Sequence, residues 1–347
     1  MYKTIEELVT RVDERNSDGT VSELIGVSID KCFIKSVANT NGTDLSKYKI
    51  IRKNDFAVSL MQVSRDGKIP VARLEEYEEA IMSPAYPIFR VKDKNIILPD
   101  YLEMWFKRPE FDREAAFIAV GGVRGSMPWE EFAKMKLPVP SIEKQQKIVN
   151  AYKIVTDRIA LKQRINDNLE SMLTAVYFEQ FYSSKASEYT KLSDLMVFGN
   201  GKSRPKTNGT IPVYGGNGVL SYTDKYNAEN TVLIGRVGAY CGSVYLEQSI
   251  CWVSDNAIFA KSKITNDEFF DYFLLKGLNL FNHHVGTGQQ LLTQDILNNI
   301  EVPKPDIDQI GMFNMKAKSV FETISANKCE IIRLQKLSDL LLARLAS

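Results

Sequence analysis

The sequence of 347 residues contains few of the side chains from which common active sites are built. Its only histidines are His283 and His284, and because they are adjacent they cannot form a network that requires separated histidines. The four cysteines form no CxxC pair and have no histidine at ligand spacing, which predicts buried structural thiols rather than disulfides or a zinc site. No dinucleotide-type GxGxxG follows a predicted strand. We therefore expect neither a catalytic centre nor a metal site.

Long apolar runs and an excess of charge of either sign are also lacking. No stretch approaches the ~18 to 20 apolar residues of a membrane span. The opening MYKTIEELVTRVDER carries charges where a signal peptide has its apolar segment, so a cytoplasmic protein is expected. The formal net charge is +1, and no large segment is broadly basic. A nucleic acid could then be bound only through local clusters of cations, or with neutralisation by a partner protein.

A P-loop is excluded, although the sequence contains GNGKS at positions 199–203. The phosphate-binding motif requires a glycine where Met196 stands, and Pro205 interrupts the helix that should follow. What remains is a polar loop with three cations, Lys202, Arg204 and Lys206.

An internal repeat becomes visible when the sequence is shifted by about 165 positions. GGVRGSMPWEEFAKMKLPVP, which begins at Gly121, then aligns with GTGQQLLTQDILNNIEVPKP, which begins at Gly286. Each stretch joins a glycine-rich polar turn to an apolar-periodic run that ends in two prolines. Two such junctions at one offset indicate a duplication.

Each proline pair is followed by a long stretch with helical periodicity. The first contains no glycine or proline for some forty residues, and the second contains only Gly311 near its start. Apolar residues recur at alternating steps of three and four, which predicts a coiled coil of about 60 Å, although two helices on separate cores are an alternative. The periodicity lapses near the middle, at Lys162 and Asn166 in one stretch and at Asn327 in the other. The predicted seam contains Ile148, Tyr152, Val155, Ile159, Leu169, Leu173, Val320, Ile324, Asn327, Ile331, Leu334 and Leu341.

Strand-rich sequence before each helical stretch predicts two domains. Residues 210–260 alternate short apolar runs with turn sequences, as in IPVY, GGNG, TVLIGRVG and AYCGSVYL, and residues 54–91 are a weaker counterpart. The expected fold is α+β, with two mixed, strand-rich domains separated by two long helices that pair as a coiled coil, in an internal repeat with pseudo-twofold symmetry. The predicted segments are a first domain, a first helix, a second domain and a second helix, over residues 1–136, 137–185, 186–302 and 303–347.

Polar and cationic residues occupy matching junctions of the two halves. Arginine, asparagine and glutamine can form paired hydrogen bonds with base edges, whereas lysine mainly holds phosphates. Each residue taken alone is more often ordinary surface, so the hypothesis depends on the repetition. The candidate DNA-binding residues are Arg15, Asn16, Arg65, Lys68, Arg124 and Ser126 in the first half, and Lys202, Arg204, Lys206, Tyr214, Asn217, Arg236, Gln289 and Gln290 in the second.

This organisation resembles the specificity subunit of Type I restriction-modification systems over nearly the whole chain. The proline-led helix starts LPVPSIEKQQKIV and EVPKPDIDQIGMF carry the resemblance, together with RDGKIPVA, SPAYPIF, NGKSRP, PVYGGNG, LIGRVGAY and WVSDNAIFA, which are similar to target-recognition domains. One departure is DQIGM, since the family usually has a Glu-Gln pair at that place, and this puts the contact made there in doubt.

The resemblance implies a DNA-binding protein that is not itself an enzyme. Each domain would read one half of a split, asymmetric DNA sequence, while the paired helices hold the readers apart and dock two methyltransferase subunits. Motor-nuclease subunits would complete the complex. S-adenosylmethionine, ATP and magnesium would bind the partners, and this chain has no Asn-Pro-Pro-aromatic tetrapeptide of a base methyltransferase.

Two other classes of function remain open from the residues alone. A coiled-coil adaptor with two β-rich protein-binding modules would present apolar rather than polar loop tips. A polysaccharide-active enzyme would require paired acid and base carboxylates, which the sequence does not reveal.

Overall fold

The computed structural model describes residues 1–36, 43–61, 63–121, 125–182, 188–286 and 288–346. The chain divides into two compact units, one formed by Met1–Leu161 with Glu330–Ser347 and the other by Lys162–Cys329. Each unit therefore contains a strand-rich region and one part of each long helix. Among the described residues, no helix is both long enough and apolar enough to cross a membrane.

The strand-rich region of the first unit contains short strands and short helices. Its four-stranded sheet has the order β2-β9-β6-β7, and β1–β10, β3–β4 and β5–β8 form antiparallel pairs. The strands are β1 (Tyr2–Thr4), β2 (Val9–Val12), β3 (Ile25–Val27), β4 (Phe33–Lys35), β5 (Lys49–Arg52), β6 (Phe56–Val58), β7 (Val71–Arg73), β8 (Glu79–Met82), β9 (Ile88–Val91) and β10 (Lys136–Pro138). The helices are α1 (Ile5–Leu8), α2 (Val63–Asp66), α3 (Pro99–Phe106), α4 (Pro109–Ile118) and α5 (Trp129–Lys134).

An aromatic cluster forms the main core of this region. Phe56 and Phe89 stack with ring centroids 5.4 Å apart, and both make edge contacts with Phe106 of α3. Prolines begin α3 and α4, where the missing N–H removes no helical hydrogen bond. The core thus joins the sheet to the helices that follow it.

The second unit repeats this plan with longer strands. Its six-stranded sheet has the order β12-β17-β15-β16-β13-β14, and β11 pairs with β18. The strands are β11 (Tyr189–Lys191), β12 (Met196–Asn200), β13 (Ile211–Gly215), β14 (Gly218–Thr223), β15 (Ala228–Gly235), β16 (Val244–Val253), β17 (Ala257–Ser262) and β18 (Glu301–Pro303). The long helix α6 (Ile142–Phe181) precedes them, and the other helices are α7 (Leu192–Leu195), α8 (Phe269–Gly277), α9 (Gln294–Asn298) and α10 (Ile307–Ala343).

Both strand-rich regions begin and end in the same way. Tyr2 pairs with Pro138 in the first, and Tyr189 pairs with Pro303 in the second. A four-residue helix follows each opening strand, and its third residue, an acid, accepts a hydrogen bond from the backbone N–H of Thr4 in one case and Lys191 in the other. These matched ends support the duplication read from the sequence.

The long helices run antiparallel within each unit. In the first unit, Val149 of α6 shares a core with Leu342 of α10 and with Leu345, which lies just after α10, and Arg158 forms an ion pair with Glu330. In the second unit, Leu173 and Tyr177 of α6 share a core with Phe313 and Ala317 of α10. All twelve predicted seam residues are buried or half-buried, so the coiled-coil prediction is confirmed.

The polar lapses in the two heptad stripes meet each other. Lys162 donates a hydrogen bond of 2.8 Å to the side-chain oxygen of Asn327, and Asn327 donates one of 2.8 Å to Asn166. Lys162 and Asn327 are repeat equivalents, 165 positions apart. Because shifting either helix by one heptad would leave these groups without partners, the layer favours one register.

Buried amides connect each long helix to its own domain. Gln145 of α6 accepts a hydrogen bond from the backbone N–H of Leu98 at the start of α3, and it donates to the carbonyls of Ile96 and Pro140. Asn314 of α10 accepts from the N–H of Phe270 in α8. These two amides occupy different repeat positions. In the second half the hydrogen-bonding role of Gln145 is taken by Asn314, a residue further along α10. This explains why DQIGM departs from the family's usual Glu-Gln pair.

We expect loss of either amide to destabilise its unit. Gln145→Leu or Asn314→Leu leaves a backbone N–H without its acceptor, so the free energy of unfolding should fall by about 2–3 kcal/mol. Thermal and urea unfolding would measure this change. Gln146→Leu is the matched control, because Gln146 is exposed and, within the described residues, its side chain bonds only to Asn150 on its own helix. Equal stability of all three variants would contradict the assignment.

The prediction that all cysteines are buried is wrong for two of the four. Cys241 and Cys251 are buried, whereas Cys32 and Cys329 are exposed. Cys32 lies in the β3–β4 turn and Cys329 on the outer side of α10, positions that composition and spacing do not reveal.

Candidate nucleic-acid interface

Four turns of the second unit, distant in sequence, meet around Arg236. A Cβ on Gly216 would lie 3.6 Å from both Asn256 O and Val237 O. The backbone N–H of Gly238 donates to Gln290 O over 3.0 Å, and the N–H of Leu292 donates to Arg236 O over 2.9 Å. Arg236 in turn donates its N–H to Asn256 O over 3.0 Å. We call residues 215–218, 236–238, 254–256 and 289–292 the turn cluster.

Glycines permit the close approaches within this cluster. A Cβ on Gly235 would lie 2.1 Å from Tyr240 O, and one on Gly201 would lie 1.9 Å from Ser254 O. Neither distance is sterically possible, and in both cases the opposing atom belongs to the backbone. LIGRVG and GNGKS therefore contain glycine so that chain segments can pack beside the cluster.

The solvent-accessible side chains of the turn cluster include amides, one cation and one acid, the exposed Asp255. Asn217 and Gln289 are exposed, while Arg236 and Gln290 are half-buried. The Nε of Arg236 is buried and has no hydrogen-bond partner within the described chain. The Arg236 side chain forms no hydrogen bond or ion pair within the described residues, so its guanidinium has unused donors.

Tyr214 has an intramolecular partner. Its hydroxyl donates to the Glu247 carboxylate over 2.9 Å. Burial, followed by the negative charge of Glu247, raises the pKa of Tyr214 above its usual range, so the hydroxyl remains protonated. Any contact of Tyr214 with DNA would have to compete with this bond.

The cations around the turn cluster are not neutralised by the protein. Lys202, Arg204 and Lys206 are exposed in the loop after β12. In the described ranges, no carboxylate lies within 4.0 Å of these three side chains or of Arg236. Unpaired cations beside exposed amides form a surface suited to a polyanion that also presents hydrogen-bonding edges.

A second group of candidate residues comes together in the first unit. A Cβ on Gly125 would lie 2.4 Å from the hydroxyl of Ser64, and Met127 donates its N–H to Leu60 O. The turn that contains Ser126 therefore packs against the segment that carries Arg65 and Lys68. Arg124 lies outside the described residues.

The candidate cations Arg65 and Lys68 are paired with acids, unlike the candidate cations of the second unit. Arg65 donates to Asp66 over 2.8 Å, and Lys68 lies 4.0 Å from Asp30. Both side chains remain about half exposed or more, at 64% and 48%, so DNA phosphates could still reach them.

The structure places Arg15 and Asn16 differently from the expectation. Asn16 is only 1% exposed; its amide donates to Val21 O and accepts from Val21 N, closing a turn, so it cannot reach a base. Arg15 is exposed but donates to Lys47 O and Asp13. Both belong to the surroundings of β5, and no contact joins them to the Ser126 turn in the described residues.

Two residues of the turn cluster were missed by sequence reasoning. Ser254 is 1% exposed, and its hydroxyl has no hydrogen-bond partner in the described chain. Asn256 supplies the carbonyl that positions Arg236. The available signal was the polar SDN triplet between two apolar runs in WVSDNAIFA. Among the described residues, no group of three or more His, Cys, Asp or Glu could hold a metal ion.

Comparisons with known proteins agree with this organisation. A profile described as "Type I restriction modification DNA specificity domain" matches the chain twice, over residues 24–171 and 185–337. The S subunit of a Type I restriction-modification system from M. genitalium is similar in fold, with a TM-score of 0.61, 15% identity, and coverage of 100% of this chain and 96% of that one. The HsdS subunit of Thermoanaerobacter tengcongensis aligns with a TM-score of 0.39 and 14% identity, over 100% of this chain and 96% of that one.

No curated protein matches the chain significantly. The two profile matches cover most of the sequence, and each includes one strand-rich region with most of its long helix. Members of the family that this profile describes are non-catalytic DNA-recognition proteins, which agrees with the prediction from the sequence. The chain belongs to the Type I restriction-modification DNA specificity family.

Proposed function

We propose that this chain selects the DNA target of a Type I restriction-modification complex by reading a bipartite, asymmetric sequence. Each strand-rich domain reads one half of the target, within the predicted boundaries of residues 1–136 and 186–302. The observation that carries the proposal is the turn cluster, where the turns that carry exposed Asn217 and Gln289 pack against the turn of Arg236, whose Nε has no partner in the described residues.

The side chains of the turn cluster match the chemistry of base edges. An arginine can donate two hydrogen bonds to guanine O6 and N7, and an asparagine or glutamine can pair with adenine N6 and N7. The neighbouring lysines would hold phosphates, which position the protein without specifying sequence. Which base each residue contacts depends on loop geometry and DNA shape.

The partners follow from the same proposal. Methyltransferase subunits dock on the paired helices, over segments 137–185 and 303–347, and motor-nuclease subunits join the complex. S-adenosylmethionine, ATP and magnesium bind those partners and not this chain. Part of the phosphate charge is neutralised by the methyltransferases, which accounts for a net charge of only +1. A subunit of a complex that acts on cellular DNA would be located in the cytoplasm.

The paired helices set the gap between the half-sites. Their seam and the polar layer of Lys162, Asn166 and Asn327 favour one register of the two helices. One register fixes the length of paired helix that acts as the spacer. Half-sites on one face of B-DNA recur every ~34–36 Å, and a rigid spacer would convert helix length into base pairs.

The reading roles are tested by exchanging side chains in the assembled methyltransferase. Asn217→Ala and Arg236→Ala should relax recognition in one half-site only, with a loss of about 1–3 kcal/mol of discrimination at the affected base pair. Single-molecule sequencing of methylated host DNA, for wild type and variants, would measure this.

Two further variants sharpen this test. Arg236→Lys keeps the charge but loses the paired hydrogen bonds, so it should behave like Arg236→Ala if Arg236 reads a base. Lys263→Ala removes an exposed cation that bonds Ser193 O, and it should leave the pattern unchanged. Methylation patterns identical to wild type in Asn217→Ala and Arg236→Ala would refute the assigned roles.

A further inference from the structure

A polar loop and a turn of the second unit form one continuous surface beside the turn cluster. The hydroxyls of Thr207 and Thr223 are 2.9 Å apart. A Cβ on Gly209 would lie 2.2 Å from the backbone of Thr223, so the loop lies directly against the end of β14. We call residues 202–210 and 222–227 the loop–turn surface.

A second connection ties this surface to the sheet. The backbone N–H of Lys202 and the side-chain amide of Asn227 both donate to Val253 O, each over 3.0 Å. Asn227 also accepts from Val253 N over 2.7 Å. Since Ser254 follows Val253, the loop–turn surface is continuous with the turn cluster.

The exposed side chains of this surface include two tyrosines and four cations, Lys202, Arg204, Lys206 and Lys225. Tyr222 is 57% exposed and Tyr226 is 60% exposed, and neither ring takes part in an aromatic contact within the described residues. Lys206 and Lys225 are exposed, and no carboxylate of the described chain lies within 4.0 Å of their ammonium groups.

One acid is present on the surface, and it is engaged by the threonines. Thr223 donates to Asp224 over 3.4 Å. A hydrogen bond from Thr207 is the main cause that lowers the pKa of Asp224, so the carboxylate is charged and helps to hold the loop on the turn. Lys206 and Lys225 form no ion pair with a carboxylate of the described residues, so they can bind an external anion.

We propose that the loop–turn surface holds the sugar-phosphate backbone next to the half-site that the second domain reads. Lys206 and Lys225 contact phosphates, and Tyr222 and Tyr226 pack on sugars and donate their hydroxyls to phosphate oxygens. This inference rests on the proposed function, and it divides the domain into a surface that specifies sequence and one that supplies affinity. An anionic duplex is favoured over an acidic protein because the surface is continuous with the amide-rich turn cluster.

The test measures how DNA affinity depends on salt. Each phosphate contact contributes about 0.9 to the slope of log affinity against log salt concentration. In the assembled methyltransferase, with a duplex that carries the mapped target, the double variant Lys206→Gln and Lys225→Gln should lower the magnitude of this slope by about 2. The methylated sequence should not change. Fluorescence anisotropy titrations at several salt concentrations would give the slopes.

The control removes two other exposed lysines of the same unit, Lys191→Gln with Lys263→Gln, whose ammonium groups bond Asn299 and Ser193. Its slope should equal that of wild type. A double variant Tyr222→Ala and Tyr226→Ala should weaken binding at every salt concentration. Thermal unfolding of each variant would verify that the fold is intact.

The outcomes separate this inference from the proposed function. An unchanged slope in the Lys206 and Lys225 variant would overturn the backbone contact even if Asn217→Ala still altered one half-site. Failure of the Lys206 and Lys225 variant to assemble with the methyltransferase would assign the surface to a protein partner and would also overturn the inference. A reduced slope with no effect of Asn217→Ala would support the backbone contact and count against the reading roles.

Discussion

Inserting one heptad into both long helices should lengthen the gap between the two recognised half-sites by about three base pairs. Seven helical residues add about 10.5 Å at 1.5 Å per residue, and each base pair of B-DNA spans about 3.4 Å. The insertions belong beside Lys162 and Asn327, so that the seam continues in phase and the polar layer keeps its partners. Mapping of methylated sites in cells that carry the variant would measure the gap.

The inserted variant should bind its new target less tightly than wild type binds the original one. Three base pairs rotate the DNA by about 100°, whereas a heptad changes the direction of a helix by only about 20°, so the duplex must twist to meet both readers. The sequences of the two half-sites should stay the same. A heptad in α6 alone is the control, and it should abolish recognition because the seam loses its register. An unchanged gap in the double insertion would show that the helices do not set it.

Replacing Asp271 with asparagine should make the second unit more stable at alkaline pH. Asp271 is 1% exposed, and neither carboxyl oxygen has a hydrogen-bond partner in the described structure. Burial, followed by the neighbouring Glu268 carboxylate, raises the pKa of Asp271 well above its ordinary value. Glu268 is itself buried and is held by the N–H of Ser262 and by Lys261.

The sign of the pH dependence follows from proton binding. At pH values between the ordinary aspartate pKa and the raised folded value, the folded chain retains a proton at Asp271 that the unfolded chain has lost. The free energy of unfolding therefore falls as pH rises above the ordinary aspartate pKa of about 3.9 and approaches the raised folded value. Over that window one retained proton contributes a slope of up to about 1.4 kcal/mol per pH unit.

Urea unfolding of wild type and Asp271→Asn between pH 5 and pH 9 would measure this. The asparagine variant should lose most of the slope and exceed wild type above pH 7 by about 1–3 kcal/mol, because its amide can donate to Glu268 without being ionised. Asp267→Asn is the control, since Asp267 lies on the adjoining loop 3.8 Å from Lys318 and is partly exposed. Parallel pH profiles for wild type and Asp271→Asn would contradict the prediction.

The helices and the repeat could be predicted because their signals are local and periodic. A heptad stripe indicates which face of a helix is buried, whichever element packs against it. Val155, Leu173, Ile324 and Ile331 could therefore be predicted as buried without knowledge of the partner helix. Even the polar lapses were visible, and the structure shows that they bond one another.

The site was predicted less completely because polar residues in loops carry no such period. Asn16 and Asn217 look alike in the sequence, each in a turn beside a cation or a glycine. Asn16 closes its own turn and is buried, whereas Asn217 is exposed in the turn cluster that contains Arg236. Only the hydrogen bonds of the surrounding chain separate an amide that holds a turn from one that is available to a ligand.

The sequence by itself determined the duplicated architecture, the two long helices with their polar interruption, and the family to which the chain belongs. Tertiary structure decided which turns meet. It brought Arg236 to Asn256 and Gln290, tied Tyr214 to Glu247, and moved the role of Gln145 to Asn314 in the second half. The physical reason is that apolar periodicity specifies a buried face locally, whereas a binding surface depends on hydrogen bonds between residues that are far apart in the chain.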